Sequence, residues 1–349
     1  MPVRNWRRLF LFVLPAVLLP AQSSQLAGPV SGYVFDQAAS GLRPILGIPG
    51  SSLLGDPLDF GFGVSSAVIA PLQDTALVTA ANRSLHLFRL RAGAASETIV
   101  NGLESPAQRV VFSPSGTAAA LYAHGLIQIL TGLPDAPAIA GSVDVRAAGI
   151  PTALALSDDG NSLLVASGTA VELYHAGGDA GKLADTAGAV LLAFAPGRPD
   201  AAVADLAGAG VTLYRNLGDA TNSQVLAPPD DMIRSGTALA FSADGQRVLL
   251  SSLTGQSVSA FNLADASRNT IACSCSPTAL ARMGSFYRLN DGRGEPLWLL
   301  DDQPGAGRIV FVPSTQGQER RTPSRAPGGR TRPLETRAPA SSGRTPLSE

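Results

Sequence analysis

A repeat of about forty residues governs what this chain can become. Thr152-Ala153-Leu154-Ala155-Leu156 returns as Thr237-Ala238-Leu239-Ala240-Phe241 and as Thr278-Ala279-Leu280-Ala281-Arg282. Tight turns mark the same unit: Phe112-Ser113-Pro114-Ser115-Gly116, Leu156-Ser157-Asp158-Asp159-Gly160, Phe194-Ala195-Pro196-Gly197 and Phe241-Ser242-Ala243-Asp244-Gly245. Weaker copies lie at Ile69-Ala70-Pro71 and Arg282-Met283-Gly284. The turns begin at residues 69, 112, 156, 194, 241 and 282, in steps of 43, 44, 38, 47 and 41. Short apolar runs joined in this way read as antiparallel strands, because Asp-Gly supplies the positive φ that a hairpin needs. Several strands per unit at a period of about 40–45 residues is the spacing of propeller blades. A β-helix or a sandwich explains the short strands but not the period. The expected fold is an all-β β-propeller with four-stranded antiparallel blades.

Within residues 25–313, the first full repeat reads as an inner strand at Val64 to Ala70, then Thr75 to Ala80, Leu85 to Leu90 and an outer strand starting at Thr98 to Val100. Later repeats follow this order. Pro296 to Leu300 and Arg308 to Val312 read as the last second and third strands. Ser31 to Asp36 and Arg43 to Gly47 resemble the third and fourth strands of a blade whose first two are missing, followed by a Gly/Pro/Ser-rich loop from Ile48 to Asp59. Six inner-strand anchors make six blades the first expectation, with the N-terminal pair closing the ring against Arg308 to Val312. Seven blades, one of them degenerate, is the alternative. Inner strands should be crowded and poor in bulk, since blades converge on one axis.

Composition separates the two ends from this middle. Residues 1–24 carry Arg4, Arg7 and Arg8 before an apolar run from Leu9 to Leu19, then small residues, the pattern of a secretory signal cleaved between Gln22 and Gln25. The run is short for a membrane span, which takes about 20 apolar residues. Residues 314–349 hold seven Arg and three Glu among Pro, Ser, Thr and Gly, with Leu334 and Leu347 the only large apolar residues. Such a segment buries too little to offset its ordering entropy and is expected to be a disordered basic tail, a candidate for peripheral contact with an anionic envelope surface. With a net charge of −1 overall, +3 in residues 1–24 and +4 in 314–349, residues 25–313 carry −8. No basic stripe of the kind a phosphate backbone requires is present, so nucleic acid is not an expected partner.

The stretch from Gly149 to Ser167, with the turns at Phe112 to Gly116 and Phe241 to Gly245, resembles the repeat of bacterial YVTN-type propellers. These are grouped with lactonase-like and WD40-like propellers, whose blades share a Ser-Pro-Asp-Gly turn before an apolar second strand. The resemblance covers roughly residues 60–312 and implies a fold, not an activity. The chain lacks both the Trp-Asp dipeptide of the WD40 form and the Tyr-Val-Thr-Asn tetrapeptide. No motif allows lactonase catalytic residues to be carried over.

Few residues announce chemistry. His86, His124 and His175 are scattered and lack the close spacing of metal ligands. Cys273-Ser274-Cys275 leaves three options open: a local disulfide, two buried thiols, or a metal-touching pair. Asp158-Asp159 is accounted for by turn chemistry. Asp230 and Asp231 precede an inner strand, near Arg234. Loops entering inner strands share a propeller face with second-to-third-strand turns, so Asn82, Arg83, His124 and Gln256 join them as a candidate binding face at the channel mouth. No ordered Ser-His-Asp set, phosphate loop or cofactor motif is found. The expectation is an exported, non-catalytic, monomeric propeller in the periplasm or outside the cell, needing no cofactor and binding a protein or envelope polymer. A lactonase-like hydrolase with its site at the channel mouth is one alternative; a subunit of an envelope complex is another.

Overall fold

The computed structural model describes residues 28–48, 50–175, 180–291, 296–303 and 307–313, so the signal-like segment and the basic tail lie outside the described residues. Blade 1 is β1 (Val30–Asp36), β2 (Gly41–Ile48) and β3 (Ser51–Leu54). Blade 2 is β4 (Val64–Ile69), β5 (Thr75–Ala80), β6 (Leu85–Arg91) and β7 (Ala94–Thr98). Blade 3 is β8 (Arg109–Phe112), β9 (Ala119–Ala123), β10 (Leu126–Thr131) and β11 (Ala138–Asp144). Blade 4 is β12 (Ala153–Leu156), β13 (Ser162–Ser167), β14 (Ala170–His175) and β15 (Ala180–Asp185). Blade 5 is β16 (Val190–Phe194), β17 (Ala201–Asp205), β18 (Gly210–Arg215) and β19 (Asn222–Ala227). A single helical turn, α1 (Asp231–Arg234), leads into blade 6, which is β20 (Gly236–Phe241), β21 (Arg247–Ser252), β22 (Ser257–Asn262) and β23 (Arg268–Ala272). Blade 7 is β24 (Ala281–Met283), β25 (Phe286–Arg288), β26 (Leu297–Asp301) and β27 (Arg308–Val312). All pairings are antiparallel between consecutive strands.

Seven blades therefore replace the expected six. The N-terminal pair does not join the last sheet; it recruits Ser51–Leu54 from the supposed loop, in the register Ile48↔Ser51, and forms its own three-stranded blade. Leu297–Asp301 and Arg308–Val312 are third and fourth strands, because the three-residue β25 supplies the second. Such a short strand leaves almost no apolar pattern to read. Blades 1 and 7 close the ring by packing: Val34 and Ile45 meet Met283, Leu297, Leu299 and Val312, all nearly fully buried. The outer strand of blade 2 also starts earlier than expected. Ala92 and Gly93, at φ 47° and 83°, form a two-residue turn of the kind favoured in hairpins.

Strand alternation gives each blade two packing faces. In β9, Ala120 and Tyr122 join Leu154, Leu156, Leu163 and Val165 of blade 4, while Ala119 and Leu121 join Leu77, Leu85 and Leu87 of blade 2. Strand β13 repeats the arrangement one blade on, with Leu163 and Val165 on one side and Leu164 and Ala166 on the other. The second strands are the most deeply buried; every residue of β9 and β17 is buried. Inner strands are less so, as the partly exposed β4 and β20 show. The crowding expected at the axis falls instead on the second strands, because the inner strands border a cavity.

Candidate functional site

The C-terminal ends of six inner strands surround a central cavity of about 290 Å³. Most of its side-chain lining is apolar: Val68 and Ile69, Val111 and Phe112, Leu154 and Leu156, Leu192 and Phe194, Leu239 and Phe241, and Leu280, with Ser113 and Tyr287 among the polar members. Blade 1 adds nothing to it, as expected of a blade without an inner strand. Pro71, Pro114 and Pro196, from the first-to-second-strand turns, also line the cavity, so it reaches the face that carries those turns. Arg282 is the one charged residue of the lining among the described residues. It donates from Nε to the Gly284 carbonyl at 3.0 Å and from Nη1 to the Pro114 carbonyl at 3.3 Å. Among the described residues it has no carboxylate partner, and Nη2 has no acceptor.

Turn-to-turn contacts link the blades around this face. The Gly284 N–H donates to the Pro71 carbonyl at 2.7 Å, joining blades 7 and 2 inside blade 1. Asp158 spans three blades: Oδ1 accepts from Ser115 N and Oγ of blade 3 at 2.7 and 2.6 Å, and Oδ2 accepts from Gly197 N of blade 5 at 2.7 Å. Arg198 of blade 5 donates to the Gly245 carbonyl of blade 6, and Arg247 of blade 6 pairs with Asp302 of blade 7 at 2.8 Å. Turn chemistry thus explains Asp159 but not Asp158. Asp159 accepts from Ser157 Oγ and Asn161 N just as Asp244 accepts from Ser242 Oγ and Gln246 N. The clue was present in the repeat: Asp158 stands where the other turns have Pro114, Pro196 or Ala243.

Tyr287 and Asp302 carry raised pKa values. Tyr287 lines the cavity and donates to the Phe241 carbonyl at 2.7 Å; burial pushes its hydroxyl pKa well above the usual phenol range. Asp302 is not in the lining. Burial pushes its pKa up to about 6; Arg247 opposes the shift, and the charges of Asp244 and Asp301 add to it. The cavity wall itself holds no pairing of a nucleophile with a base.

None of the residues expected at the channel mouth lines this cavity. Asp230 caps α1, accepting from Ile233 N at 2.8 Å, and its other oxygen pairs with Arg268 at 2.5 Å. Burial costs this carboxylate, yet those two partners hold its pKa below the ordinary value. Asp231 and Arg234 form an exposed pair within the same turn of helix. Arg83, His124 and Gln256 occupy second-to-third-strand turns of three different blades with φ of 72°, 50° and 43°, so local backbone geometry accounts for their positions. Asn82 accepts from Ser84 within its own turn. No hydrogen bond or ion pair joins the sets from blades 2, 3 and 6 among the described residues. Cys273 and Cys275 are joined as a disulfide with Cα atoms 5.0 Å apart, both buried against Leu249, Val258 and Tyr287. The chain leaves β23 at Ala272 and bends at Ser274, which allows an approach that an extended strand would not.

No protein-family model and no curated protein sequence matches the chain. Its fold is shared with solved structures at low identity. A protein of unknown function from Desulfotomaculum acetoxidans is 15% identical over 80% of this chain and 95% of that one, with a TM-score of 0.56. A protein from Bacteroides fragilis, proposed to be a 6-phosphogluconolactonase, is 12% identical over 81% and 92%, with a TM-score of 0.55. The periplasmic gluconolactonase PpgL of Pseudomonas aeruginosa is 15% identical over 82% and 96%, with a TM-score of 0.53. At these identities, what is shared is the β-propeller.

Proposed function

We propose that this protein is an exported binding propeller whose central cavity takes a small, mainly apolar molecule bearing one anionic group. The observation that carries this reading is the wall of the cavity: apolar side chains from six blades and a single guanidinium, Arg282, with donor capacity left over. Burying an apolar body gains about 25 cal/mol per Å², and one fixed cation orients the molecule. Export rests on the basic and apolar pattern of residues 1–24, and the basic tail is the proposed contact with the envelope. Titration with aryl and alkyl carboxylates against their neutral amides tests the cavity. The carboxylates should bind about tenfold more tightly, and Arg282→Met should abolish the difference. Equal affinity for acid and amide would overturn this reading.

A second reading is a lactonase-like hydrolase, supported by the YVTN-like repeat and by structural neighbours of that description. Lactone hydrolysis needs a group to activate water and another to meet the oxyanion. Arg282 suits the second task, but no residue of the wall suits the first. Steady turnover of a lactone or ester, lost in Arg282→Met, would favour this alternative.

A further inference from the structure

Away from the cavity, blade 2 brings together three side chains that sequence order does not advertise. Ser84, His86 and Phe88 alternate onto one face of the blade, while Leu85 and Leu87 turn into the core shared with blade 3. Glu97 on β7 lies opposite Phe88 in register and therefore shares that face, diagonal to His86. The result is a linear relay. Ser84 Oγ lies 2.7 Å from His86 Nε2, and His86 Nδ1 lies 2.7 Å from Glu97 Oε1. The Phe62 ring packs against the imidazole at a 32° tilt with centroids 4.7 Å apart. Asn82 Oδ1 accepts from the Ser84 N–H at 2.9 Å and from the Ser84 hydroxyl at 2.6 Å, which fixes the serine in the turn. Ser84 and His86 are half-buried and reachable; Glu97 is exposed.

We propose that Ser84, His86 and Glu97 form a hydrolytic site for small carboxylic esters with an apolar acyl group. Nucleophilic catalysis by serine needs a base within hydrogen-bond reach and a third group to orient that base, and both distances meet this condition. The Ser84 hydroxyl proton turns from Asn82 Oδ1 to His86 Nε2, both within 2.7 Å, as Oγ attacks the ester carbonyl carbon. Glu97 holds the Nδ1 proton and steadies the imidazolium. Collapse of the tetrahedral species breaks the bond to the leaving alkoxide, which takes the proton from His86. Water then repeats the sequence on the acyl-serine, releasing the acid and restoring Ser84. Phe62 supplies an apolar wall beside the base. Arg83, exposed and without an ion pair among the described residues, is the cation next to the nucleophile in sequence.

The test uses the full chain and an aryl fluorophosphonate, in which the serine oxygen bonds to phosphorus as fluoride leaves and the proton passes to His86. Peptide mass spectrometry of the wild-type protein should place the adduct on Ser84, a result that requires no variant to fold. His86→Ala should slow adduct formation about 100-fold, the low end for loss of a general base. Glu97→Gln should slow it less, and Glu97→Asp should recover part of the rate, which a purely structural role would not produce. Hydrolysis of 4-nitrophenyl phenylacetate should exceed that of the acetate and stop after labelling. No adduct, an adduct on another residue, or a Ser84 adduct rate unchanged in a folded His86→Ala would show a hydrogen-bonded surface trio only, and would overturn the proposal.

Discussion

At the scale of single residues, a clear electrostatic demand falls on Asp302, whose side chain is 3% exposed and whose Oδ2 has no hydrogen-bond partner among the described residues. Its pKa in the folded state, about 6, lies above the ordinary carboxylate value of 3.8, so the fold favours the protonated form. Stability from this group is fully present below pH 4 and is lost as pH rises through about 6. Asp302→Asn should therefore melt above the wild type at pH 7.5, and the gap should shrink as pH falls towards 4.5; thermal melts across that range check it. Asp158, by contrast, has hydrogen-bond partners on both carboxylate oxygens. Asp158→Ala leaves three donors on two neighbouring blades without their acceptor and should cost about 1–3 kcal/mol in denaturant unfolding, although Asp159 keeps the turn itself intact.

Among elements, burial ranks the second strands above the inner ones. Leu164 on β13 is fully buried, whereas Leu192 on β16 borders the cavity. Leu164→Ala should cost about 2–5 kcal/mol, while Leu192→Ala merely enlarges a space that already exists and should cost clearly less; chemical denaturation of the two variants decides. The same contrast explains what could be read beforehand. Strand Thr75–Ala80 was legible to the residue because its apolar run lies between turn residues, Asp74 before it and Asn82 after it. Strand β3 was not, because Ser51-Ser52-Leu53-Leu54 pairs through a turn inside what reads as a polar loop. Of the candidate sites, Asn82 and Arg83 were seen, but Ser84 and Glu97 were not. A relay set by strand register across 13 residues leaves no contiguous motif. The cavity was invisible for a related reason: its wall is drawn two or three residues at a time from six distant strands.

For the molecule as a whole, the decisive feature is how the circle shuts. Blades 1 and 7 share a core that includes Val34, Ile45, Leu299 and Val312, but no sheet contains strands from both. Removing residues 316–349 lies beyond the last strand and should leave the thermal transition within about 2 °C. Removing everything from Gly307 deletes β27 and uncovers that core. It should lower the transition by roughly 10 °C or more, at about 2–4 °C per kcal/mol. Differential scanning calorimetry of both truncations separates the two cases. Mechanically, this closure is a seam between the two ends of a strip, and every blade is a continuous stretch of chain. Drawn apart by its termini under force, the molecule should part first at the seam and then unravel blade by blade from both ends. Its force–extension trace would then be a series of separate rips, not one global rupture.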